Sequence, residues 1–135
     1  MARTRSNPVT TTVTVDAADR LVAALNEIEG IDFVRDAWEN KAPDNYGVVE
    51  MNGQSSALWA DNAMVAQQFQ LTVHLYEGSG DNSMVGTVQA KLATACDSYS
   101  MPTHEYLFDI SKNHWQWNVW IIGPLQWTEE VVTSG

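Results

Sequence analysis

The sequence predicts a single α+β domain, a mainly antiparallel sheet with two helices packed on one face. Three observations carry that expectation. Apolar residues recur at helical spacing in two separate stretches, Ala17 to Ile28 and Met84 to Ala95. Between them, Met64 to Tyr76 is the clearest strand, with Phe69, Leu71, Val73 and Leu75 on one side and Gln68, Gln70, Thr72 and His74 on the other. Turn-forming clusters such as Lys41-Ala42-Pro43-Asp44-Asn45 and Ser111-Lys112-Asn113 separate the segments. The expected order is α-β-β-β-α-β-β.

Residues 1–12 are polar and Thr-rich with Pro8, which predicts an extended or disordered arm before a domain spanning 13–127. The first helix is expected from about Val13 to Glu29, burying Ala17, Leu21, Ala24, Leu25 and Ile28, capped by Thr14 or Asp16 and stopped at Gly30. A strand over Ile31 to Trp38 and another over Tyr46 to Met51 follow, the second ending in the turn dipeptide Asn52-Gly53. After the Met64–Tyr76 strand, Gly78-Ser79-Gly80-Asp81-Asn82 breaks the chain and supplies a helix cap. The second helix buries Met84, Val85, Val88, Leu92 and Ala95, and Pro102 prevents its continuation. Tyr106–Ile110 and His114–Ile122 read as a closing hairpin. Trp115, Trp117, Val119 and Ile121 share one face of its second strand, and Asn118, Trp120 and Ile122 the other. Residues 128–135 read as an acidic tail after Trp127.

Composition excludes several classes. The 135 residues carry 7 basic and 17 acidic side chains, a net charge of −10, so no broad basic surface exists to grip nucleic-acid phosphates or anionic lipid. A single cysteine, Cys96, rules out an intramolecular disulfide framework, and its place late in an Ala-rich helix suits a small buried hydrophobe. No apolar run approaches the roughly 20 residues of a membrane span, and the start lacks the apolar segment of a signal peptide. The expectation is a soluble cytoplasmic product without a membrane association.

Motifs that carry chemistry are scarce. Gly78-Ser79-Gly80 precedes a helix but lacks the third glycine of a dinucleotide fingerprint and the Gly-Lys of a P-loop. No Gly-x-Ser-x-Gly elbow occurs. His74, His104 and His114 are scattered, and His74 and Glu77 should point to opposite sheet faces, the wrong geometry for a shared metal. Neither a metal nor another cofactor is expected, and the chain does not read as an enzyme. Ten carboxylates lie between Asp16 and Asp61, which fits a solvated acidic face or, alternatively, an acidic pore lining past which DNA phosphates slide without sticking. Six tryptophans are unusual at this length. Trp115 and Trp117 suit the core, whereas Trp38, Trp59, Trp120 and Trp127 are harder to bury together, which favours a sticky surface and oligomerisation.

The element order and strand composition resemble the tail-terminator (tail-completion) proteins of long-tailed bacteriophages. The resemblance runs over about residues 13–127: an amphipathic helix from Asp16 to Ile28, then Phe33-Val34-Arg35-Asp36-Ala37-Trp38 and Tyr46-Gly47-Val48-Val49-Glu50. The strand Gln68-Phe69-Gln70-Leu71-Thr72-Val73-His74-Leu75-Tyr76, a second helix, and a hairpin with Tyr106-Leu107-Phe108-Asp109 and Trp115-Gln116-Trp117 complete it. The resemblance implies a virion structural protein of the tail end nearest the head, assembled in the host cytoplasm. It would form a ring, usually a hexamer, on the last ring of tail-tube protein, end tail polymerisation and present a docking surface to the head–tail connector. DNA would pass through the lumen without specific binding. Under this reading the segment Met51 to Asn62 is the expected contact region, and the candidate inter-subunit or tube contacts are Trp38, Gln54, Trp59, Asp61, Trp120 and Trp127. The rival readings are another tail-tube or head–tail joining protein, or a small-ligand or carbohydrate-binding module using exposed Trp side chains.

Overall fold

The computed structural model describes residues 8–39, 41–60, 63–78, 83–124 and 126–134, with the side chains of 8, 54–60, 63–65, 133 and 134 outside the description. Ten elements follow one another: β1 (Pro8–Val15), α1 (Ala17–Leu25), β2 (Asp32–Arg35), β3 (Tyr46–Ala60), β4 (Ala63–Gly78), α2 (Val85–Ala95), β5 (Ser98–Tyr99), β6 (Thr103–Leu107), β7 (Lys112–Gly123) and β8 (Trp127–Ser134). Six strands form one sheet in the order β2-β3-β4-β7-β5, with β6 also on the free edge of β7. Every pairing in it is antiparallel except β2 with β3. The protein is a single α+β domain, as the alternation and the two helical stripes predict.

Parity along β4 decides what each face does. Its odd positions Phe69, Leu71, Val73 and Leu75 are buried, and they join Phe33, Val49, Trp117, Val119 and Ile121 in a core closed by Leu21 and Leu25 of α1 and Val88 and Leu92 of α2. The even positions form a polar face on the other side. Glu77 extends the odd row: buried at the end of β4, its carboxylate accepts from the Met84 N–H at 2.9 Å and from the Ser83 hydroxyl at 3.1 Å. The start of α2 is therefore held by Glu77, with Ser83 Oγ accepting from the Val85 N–H. The cap expected from Gly78–Asn82 is corrected to this extent, and residues 79–82 lie outside the described residues. α1 begins with a capping box, in which Asp16 accepts from the Asp19 N–H and Asp19 reaches back to the Asp16 N–H.

Several boundaries are corrected. The arm expected over 1–12 is strand β1 from Pro8 onward, and the tail expected over 128–135 is β8; the two pair antiparallel from Pro8↔Ser134 to Val15↔Trp127 as a separate two-stranded ribbon. The reason is propensity: Val9 to Val15 is an unbroken β-branched run, which favours extended backbone despite its polar threonines. Residues 1–7 lie outside the described residues. β1 also takes Val13–Val15 from the expected first helix, which starts at Ala17 and ends at Leu25; Gly30, with φ +88, sits in the turn beyond it. β2 stops at Arg35, where Asp36 takes φ 69.

Asn52-Gly53 is not a turn. β3 runs through it to Ala60, with a register shift between Met51 and Gly53 and Gly53 at φ +153. The dipeptide serves as a β-bulge because β4 continues opposite for 16 residues and keeps pairing. The closing hairpin turns at Phe108–Ser111, earlier than expected, with Ser111 at φ 53. The two-residue strand β5 was outside the expected order.

Candidate functional site

The polar face of the sheet carries a connected set of interacting side chains. The register aligns Tyr46, Tyr76 and His114 on β3, β4 and β7, and their rings stack at 4.8 Å and 4.6 Å between centroids. The Trp38 ring meets Tyr46 edge-on at 5.8 Å. One step along the sheet, His74 stacks on His114 at 5.0 Å. A diagonal ladder results. Glu50 Oε1 lies 2.7 Å from His74 Nε2, His74 Nδ1 lies 2.8 Å from His114 Nε2, and His114 Nδ1 lies 2.8 Å from Glu105 Oε1.

Three short contacts need three protons, and two neutral imidazoles supply two. With His74 donating from Nε2 to Glu50, its Nδ1 accepts from His114 Nε2–H, and His114 Nδ1 faces Glu105. A proton added at His74 Nδ1 would set two N–H groups against each other across the 2.8 Å gap. Burial lowers the His74 pKa; the Glu50 carboxylate opposes this, and neighbouring His114 adds to the lowering. Burial also pushes the Tyr46 and Tyr76 phenols above their usual value. The ladder ties β3, β4, β7 and β6 together side by side and ends in two exposed carboxylates. It is a hydrogen-bonded clamp across four strands.

The candidate contact residues do not form one patch. Trp38 lies beside Tyr46, half-buried, and its indole Nε1 is buried with no hydrogen-bond partner among the described residues. Trp120 is on the same face but opposite Gln70, six residues along β4 from Tyr76, about 20 Å away at roughly 3.3 Å per residue. Trp127 is on the helix side, where its ring packs on Phe69 at 6.2 Å and beneath the Arg20 guanidinium at 4.8 Å. Gln54 and Trp59 belong to β3, with side chains outside the description; Asp61 lies outside the described residues.

Two further features were not expected. A cleft of about 310 Å³ opens at the end of β7, between α1, the last turn of α2 and Trp127. At the other end of β7 the turn into it exposes Tyr106, Phe108 and Ile110, with Phe108 85% exposed. The histidine pair is separated by 40 residues, so spacing carries no sign of it; parity did place His74 on the polar face.

Acidic side chains are largely paired where cations exist. Asp16 and Asp19 contact Arg35 at 2.9 and 3.1 Å, and Glu27 pairs with Lys91. Burial raises the Asp16 pKa, but the Asp19 N–H and the Arg35 charge outweigh it and hold the group below its usual value. The Cys96 thiol is pushed up to about 12, by burial and then by Asp97, so it is a thiol and not a nucleophilic thiolate at neutral pH. Among the described residues no group of three His, Cys, Asp or Glu is placed to hold a metal, and no helix is long and apolar enough to cross a membrane. No family of known proteins matches the chain, and no curated protein matches it.

Proposed function

We propose that the chain is a virion assembly protein, a tail terminator that forms a ring on the end of a phage tail tube, stops its growth and offers the connector a docking surface. The observation that carries this reading is a pair of two-stranded arms at one end of the sheet. β4 pairs with β7 from Gln67 onward, so the rungs Leu58↔Ala66, Trp59↔Met64 and Ala60↔Ala63 extend past the third strand. The β1–β8 ribbon starts at the same end, rooted by Trp127 and by Arg20 near Glu129 at 3.8 Å. Two-stranded ribbons are marginal in water without a surface to pack on, and this one exposes Val9, Val131 and Val132. Arms of this kind suit contacts with neighbouring subunits and with the tube's last ring. A net charge of −10 suits a lumen that lets DNA pass.

The test is capture by tail tubes. Purified tubes incubated with the protein should acquire it at one end, in a single layer, and should then fail to elongate when tube protein is added. Binding along the tube, or stacking of further layers, would instead indicate a tube or joining subunit. Absence of any end binding would refute the proposal.

A further inference from the structure

The turn between β6 and β7 holds out Phe108, the most exposed of the large apolar side chains described. Its ring meets that of Tyr106 edge-on, at 4.8 Å between centroids. Single exposed aromatics are unremarkable, but this one shares its turn with exposed Tyr106 and Ile110. The same chain carries a cavity of fitting size. The 310 Å³ cleft is walled by Leu21, Ala24, Ala95, Ile121 and the Trp127 ring, with Thr94 and Asp97 on its polar side. Arg20 lines it too, 4.8 Å over the Trp127 ring and 3.8 Å from Glu129. Next to Phe108 is the exposed carboxylate Asp109, opposite in charge to Arg20.

Position decides who can occupy the cleft. Phe108 precedes the first residue of β7, and Ile121 and Ile122 are near its last. Nine to ten steps of strand from Lys112 to Ile121 and Ile122 separate the two features by about 30 Å at roughly 3.3 Å per residue. The knob of one chain cannot reach its own hole. A contact that joins opposite ends of identical chains is heterologous, and repetition of it gives a ring when the rotation closes.

We propose that Phe108 seats in the cleft at the far end of β7 in a second copy of this chain, with Asp109 beside the second copy's Arg20. The inference rests on the ring-forming reading and names the contact that closes it. One aromatic buries about 150–250 Å², well short of a stable interface of roughly 1,200 Å² or more. Phe108 is therefore the anchor of a larger contact to which the arms contribute, and loss of the anchor dominates the loss of affinity.

Two single variants and their mixture test it by light scattering, with circular dichroism to confirm folding. Phe108→Ser removes the knob from an exposed turn and keeps the hole. Ala24→Trp fills the hole and keeps the knob; Thr94→Trp, on the opposite wall, replaces it if the first fails to fold. Each variant alone should self-associate at least about tenfold more weakly than the unaltered chain. Their mixture should form a one-to-one dimer and stop, since one knob and one hole remain. Either variant assembling like the unaltered chain, or a mixture that stays monomeric while the unaltered chain assembles, overturns the contact and leaves the ring itself standing. An unaltered chain that stays monomeric at every concentration overturns the contact too, and tube-end capture then decides the assembly role separately.

Discussion

The packing of Phe33 over Gly47 gives a sharp test of the core that supports both faces of the sheet. A methyl group built on Gly47 would lie 2.1 Å from Cδ2 and Cε2 of Phe33. Phe33 cannot easily retreat: it is buried, and the Asn26 side chain brackets its backbone, accepting from the Phe33 N–H at 2.7 Å and donating to its carbonyl at 3.0 Å. Gly47→Ala is therefore overpacking at a pinned site, with an expected cost of about 2 kcal/mol. At about 4 °C per kcal/mol for a chain of this size, the midpoint of thermal unfolding should fall by about 8 °C. Phe33→Leu alone should cost about 1 kcal/mol through lost contacts. The double variant should be at least about 1 kcal/mol more stable than additivity allows, because the smaller side chain leaves room for the methyl. Urea unfolding of the four proteins measures the cycle. Additive costs, or a Gly47→Ala protein within about 0.5 kcal/mol of the unaltered chain, would show that the close approach does not exist.

Two other predictions concern titrating groups. His74 has a lower pKa folded than unfolded, so the unfolded chain takes up the proton first; its contribution to stability is full above the unfolded value of about 6.5 and declines as pH falls below it. Melting temperatures between about pH 7.5 and about pH 5 should fall more steeply for the unaltered chain than for His74→Gln, and parallel declines would contradict the ladder. Asp16→Ala should cost about 1–2 kcal/mol through loss of the α1 cap and of a partner for Arg35. The Asp16 carboxyl is held low, so that difference should be present at neutral pH and vanish as pH falls from about 3.8 through the lower folded value; a difference that persists in acid would contradict the assignment.

What the sequence made legible was whatever depends on local periodicity. The stripe Leu21, Leu25 and the alternation of β4 each report a buried face directly, and the order of the central elements follows. The β1–β8 ribbon was hidden because its partners are more than 100 residues apart and its threonines read as polar although they are β-branched. Asn52-Gly53 misled because glycine at positive φ serves a bulge as well as a hairpin turn, and the opposite strand decides between them. The histidine ladder depends on β4 and β7 being neighbours in one register, which no spacing encodes. The Phe108 knob was masked for a similar reason: Tyr106–Ile110 reads as strand, yet β6 ends at Leu107 and turns the phenylalanine outward.

The assembly reading stands or falls most directly on the mass of the protein in solution, measured by light scattering over a range of concentration and salt. Each protomer carries −10, so screening should favour association. The account predicts that monomer gives way to one discrete species of about six chains of 15.0 kDa, which stops growing as concentration rises. A mass that keeps increasing with concentration, the mark of a subunit that polymerises without limit, would contradict it.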